Sequence, residues 1–301
     1  MSDNETSAKS TVNLDLTAST KAEFKAEIRA EVPTTSMGRL VDSLTDIIRP
    51  FSESRGLRAD HLRLQREDVL IQIARKASER LRHEQISIQP VSNKILVPFL
   101  EKASLEDPTD EEMVSRWVNL LASAASGQSF PPRLVSTLSE MEAQDARLLE
   151  TIYRTKQIKE GVKERLFALG AEVEPFNAVT KHFTSSVIYD GIQDKKIPGN
   201  AILDYLTVLL SGHGIYMIFA GYGKRQNYPL PKIIDESSIA RSIEVLSALS
   251  LIQRDTAKGF LEKYHYDVQF YQITPLGVML LSVCSQEAAR EISAMRQPRT
   301  A

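Results

Sequence analysis

The sequence is poor in the residues that announce a chemistry. It has one cysteine, Cys284, in 301 residues. That excludes an intrachain disulfide framework and a cysteine-built zinc site, and it suits a reducing compartment, so a cytoplasmic location is expected. Charge of one sign is also missing. The formal net charge is −2, and no whole-chain field draws the protein to nucleic acid or to a membrane surface. Residues 1–142 hold 18 Lys/Arg against 22 Asp/Glu, and residues 143–301 hold 19 against 17, an asymmetry too small to imply a polyanion partner. The polar opening "MSDNETSAKSTVNLD" is no secretory signal. The longest uncharged run is "YLTVLLSGHGIYMIFAGYG", from Tyr205 to Gly223. It nears membrane-spanning length, but Ser-Gly-His-Gly sits at its centre. A buried helix ending near Ser211, a glycine turn and a second buried segment is the expected arrangement.

Catalytic signatures are absent too. The five histidines, His61, His83, His182, His213 and His265, share no i, i+3 or i+4 spacing and neighbour no ligand set, so no metal is expected. "AGYGKRQ" fails as a phosphate loop, because Ile218 stands where the first glycine belongs and Arg225 replaces Ser/Thr. Gly212 and Gly214 lack the third glycine of a dinucleotide fingerprint, and no Gly-x-Ser-x-Gly elbow exists. Cys284 ends the apolar run "VMLLSVC", the setting of an inert core thiol. Asp107, Asp110, Glu111 and Glu112 cluster at a helix start, where the helix dipole accounts for them. A non-enzyme without cofactor is the expectation.

What the sequence does have is helical packing. The exception comes first. "KAEFKAEIRAEV", residues 21–32, alternates charged and apolar residues. As a helix it would stack like charges at i, i+4; as a strand it has one charged and one apolar face. Val12, Leu14 and Leu16 alternate as well. Residues 1–33 therefore read as a small β arm, which needs another sheet, a helix face or a second subunit to cover it. Homo-oligomerisation through this arm is one expectation. After Pro33, the residues Met37, Leu40, Val41, Leu44, Ile47, Ile48 and Phe51 form a helical stripe suited to a partner helix or a membrane face.

A second helix over residues 60–82 carries Leu70, Ala74, Ala77 and Leu81 on one face, with a basic, solvated flank. In "VSNKILVPFLEKASLE" the apolar stripe is Val91, Ile95, Leu96, Phe99 and Leu100, and Pro98 should kink or shorten the helix. Asp110 can cap the next one, where Met113, Trp117, Leu120, Leu121 and Ala124 share a face; Gly127 stops it, and Pro131 and Pro132 open its successor. Trp117 reads as a core anchor. "DARLLETIY" and "IKEGVKERLFALGA" are further helices. "SSIARSIEVLSALSLIQRD" is a helix with Ile239, Ile243, Leu246 and Leu249 inward. A short strand at Leu251 and Ile252, a charged loop, a returning strand "DVQFYQIT" and a helix "TPLGVMLLSVC" follow. Helix, hairpin, helix is the shape of a winged helix-turn-helix end. Its candidate contacts to nucleic acid or a partner are Ser238, Arg241, Ser242, Arg254 and Lys258, a sparse basic set beside Glu236 and Glu244.

"NKILVPFLEKASLEDPTDEEMVSRWVNLLASAASGQSFPPRLVSTLSEMEAQDARLLE" resembles the abortive-infection alpha (Abi-alpha) family of bacterial phage-defence proteins. The elements that carry it are "VPFLEKASLED", "RWVNLLASA", "FPPRLVSTLSEM" and "DARLLE", with "IEVLSALSLIQ" and "YQITPLGVMLL" near the end. The likeness covers residues 86–153 and 236–284, and every matched residue is one already assigned to packing or capping. It implies a fold and a biological role, and it carries no active site.

The expected protein is mainly α: a multi-helix bundle with a C-terminal winged-helix-like domain and a small N-terminal β arm. Its domains are residues 1–33 (arm), 34–142 (helical), 143–298 (winged-helix-like) and 299–301 (tail). Its expected function is anti-phage defence through protein binding and conformational change, with a second defence component or a phage component as partner. The alternatives are a DNA-binding transcriptional regulator and a membrane-associated effector.

Overall fold

A computed structural model describes residues 60–154, 161–181, 183–223, 236–261 and 264–296. The expected β arm and the stripe from Met37 to Phe51 lie outside the described residues. Among those described, the chain is mainly helical, with eleven α-helices and one three-stranded antiparallel sheet. They divide into two compact units. One takes in residues 60–108 and Leu121–Ser129; the other takes in Thr109–Leu120 and the chain from Phe130 onward.

In the first unit, α1 (Asp60–His83) turns Leu70, Ile73, Ala74, Ala77 and Leu81 inward, the expected face extended by Ile73. Then α2 (Asn93–Ala103) starts at Ser92, whose Oγ accepts the Lys94 N–H at 3.4 Å. The helix passes through Pro98 and runs on to Ala103, burying Leu96, Phe99 and Ala103. Pro98 stands in the second turn, where only one intrahelical bond is forfeited and the apolar face still packs. The end of α3 (Glu111–Ala125) also belongs here. Gly127, at φ +83°, lets the Gln128 N–H reach the Ser123 carbonyl at 3.1 Å while its own N–H meets Ala124 at 3.2 Å, the paired bonds of a Schellman stop.

The second unit begins with the cap of α3. The Asp110 carboxylate accepts the Met113 N–H at 2.9 Å, and Met113, Trp117 and Leu120 are buried behind it. Pro131 and Pro132 lead into α4 (Arg133–Ser139), which buries Leu134, Val135 and Leu138. In α5 (Ala143–Arg154), the Asp145 carboxylate reaches back to the Glu142 N–H at 2.9 Å, closing the first turn. Next come α6 (Val162–Ala168), α7 (Ser185–Asp194) and α8 (Ile202–Leu209). The long uncharged run is thus α8, a turn through Gly212 and Gly214, and a strand. Among the described residues, no helix is long and apolar enough to cross a membrane.

The sheet holds β1 (Ile215–Gly223), β2 (Ile252–Leu261) and β3 (Tyr264–Ile273) in the order β1–β3–β2. Ile215 pairs with Gln272 and Ile252 with Ile273, and a register shift falls between Met217 and Phe219. Ala257, Tyr266, Val268 and Phe270 turn to the core and pack with Val162, Leu166, Ile188, Ile202 and Leu206 of α6 to α8. Phe183 stands edge-on to both Phe176 and Phe270, with ring centroids 4.8 and 5.0 Å apart. The charged loop expected after Ile252 is instead strand, all the way to Leu261. Arg254, Thr256 and Lys258 alternate with residues of the other face and point to solvent, so a half-solvated strand carries the charge without strain. Ahead of β2 runs α9 (Glu236–Ala248). After β3 comes α10 (Pro275–Cys284), whose cap Thr274 accepts the Gly277 N–H at 3.1 Å and donates to the Ser250 carbonyl at 2.7 Å. The helix α11 (Gln286–Arg296) follows.

Candidate functional site

The surface closest to the expected contacts is built by α9 and the β2–β3 hairpin. Helix α9 buries Ser242 and Leu246 and packs against α5 and β2. The Arg133 guanidinium donates through Nη2 to the Leu249 carbonyl beyond its end, at 3.4 Å. The outward stripe is Ala240, Arg241, Glu244, Ser247 and Ala248, which fall one helical turn apart or beside each other. Most of these side chains are short.

The five candidate contacts fare differently. The Ser238 side chain lies outside the described residues. Arg241 is exposed, and its Nη2 donates to Glu142 Oε1 at 2.8 Å. Ser242 is a correction: only 3% exposed, it faces the packed side of α9 and is closed to a partner there. Arg254 Nη2 donates to Gln269 Oε1 at 2.6 Å. Lys258 Nζ meets Asp267 Oδ2 at 2.9 Å. The structure brings Arg254 and Lys258 onto one face of the hairpin, and it places Arg241 on the outward stripe of α9.

Across that hairpin face lie groups that the sequence reading missed. Register sets Arg254 opposite Tyr271, Thr256 opposite Gln269, Lys258 opposite Asp267 and Phe260 opposite His265. Phe260 is 67% exposed, and its ring lies 4.8 Å from that of His265. The period-two spacing of Arg254, Thr256, Lys258 and Phe260 was the available signal; the charges between Leu251 and Asp267 drew the reading toward a loop.

The distinctive residues elsewhere are internal. Trp117 is fully buried and Cys284 is 2% exposed. Burial pushes the Cys284 thiol up to about 12, far from the range of a working nucleophile. Asn119 Nδ2 donates to the Cys284 carbonyl at 2.9 Å. The acidic cluster has structural partners: Glu112 meets Arg116 at 3.1 Å and Arg147 at 3.5 Å, and Arg116 also reaches Glu150 at 2.7 Å. Among the described residues, no three metal-ligating side chains gather.

Comparison with protein families matches residues 65–284 to the model of abortive infection alpha. The chain belongs to the abortive infection alpha family. That match runs continuously from α1 to the last residue of α10, so it takes in α9, the hairpin and the stretch between residues 153 and 236 that the sequence resemblance left out. No curated protein and no solved structure matches the chain.

Proposed function

We propose that this abortive infection alpha protein takes part in defence of bacteria against phage by binding a protein partner and changing conformation, with no reaction catalysed. The family match supports the biological role. The outward face of α9 is the observation that carries the binding mode. Reading duplex DNA takes long donors that reach base edges. Ala240, Ser247 and Ala248 are short, Glu244 repels phosphate, and Arg241 is already held by Glu142. Short side chains of that kind admit close approach of another protein's helix or loop. The strand order β1–β3–β2, with α9 directly ahead of the hairpin, supports a winged-helix reading of this end, and such modules serve protein contacts as well as DNA.

The test is phage plating with cells that carry the gene, its deletion, or a Ser247→Trp variant. The wild-type gene should lower plating efficiency. The variant should lose that protection while the purified protein melts at an unchanged temperature, because Ser247 is exposed and bulk there blocks only a partner. Full protection by Ser247→Trp would remove α9 from the contact. Nucleotide hydrolysis or nucleic-acid cleavage by the purified protein, abolished by one point substitution, would overturn the non-catalytic reading.

A further inference from the structure

We draw no further inference here: the strongest candidate, the outer edge of strand β1, which carries no charge and no proline from Ile215 to Gly223 and pairs with β3 alone among the described residues, is interrupted by the register shift between Met217 and Phe219, and nothing in the structure shows what covers it.

Discussion

Buried protons on Cys284, Tyr153, Tyr205 and Tyr266 make this protein sensitive to alkali. Burial raises the Cys284 thiol from 9.0 to about 12, and it raises the hydroxyls of Tyr153 and Tyr205 from 10.0 to about 12. Glu291 adds to the shift at Tyr153, and Tyr266 adds to that at Tyr205. Each folded-state value lies above the unfolded one, so the unfolded chain releases these protons first. The stability they contribute is whole below about pH 9 and is lost as pH climbs toward about 12. Urea midpoints should therefore hold between about pH 7 and 8.5 and fall steeply above that, and Cys284→Ala should flatten the early part of the fall. At this scale Trp117 was legible as packing, because its spacing with Met113, Leu120 and Leu121 is local. Arg116 was not. A charged residue on a helix reads as solvated, yet Arg116 is 6% exposed, held by a glutamate 34 positions away.

Elements stop where a residue can adopt the left-handed conformation. Gly127 announces such a stop in sequence, and α3 ends there. Ser250 does the same work after α9 at φ +60°, with the Leu251 N–H on the Leu246 carbonyl at 2.9 Å and its own N–H on Ser247 at 2.9 Å. Serine gives no such signal and carries the cost of a side chain in that region. Ser250→Gly should raise stability by about 1 kcal/mol, seen as a higher urea midpoint with an unchanged slope. An equal or lower midpoint would mean that the exposed hydroxyl contributes something the backbone geometry does not show. Strand β2 taught the opposite lesson. Its charges suggested a loop, but only one face of the hairpin packs, so alternate charged residues are compatible with the ladder.

For the whole molecule, charge argues against unspecific capture of duplex DNA. The chain carries −2 overall, and the exposed cations on α9 and the hairpin are few: Arg241, Arg254 and Lys258. Duplex affinity comes chiefly from cations that release counterions. No mobility shift with duplex DNA is expected at physiological salt. A salt-dependent shift abolished by Arg241→Ala would favour the transcriptional-regulator alternative instead.

The sequence by itself determined most helices, their caps and their buried faces, because spacing, N-caps and stop residues act within a turn or two of chain. It also carried the family likeness, since that resides in the same packing residues. Only the tertiary structure decided which charges are spent on one another, that Ser242 faces inward, and that Phe260 stands out on an open sheet face. Those outcomes depend on partners far apart along the chain, and on which side of a strand finds a core to cover it.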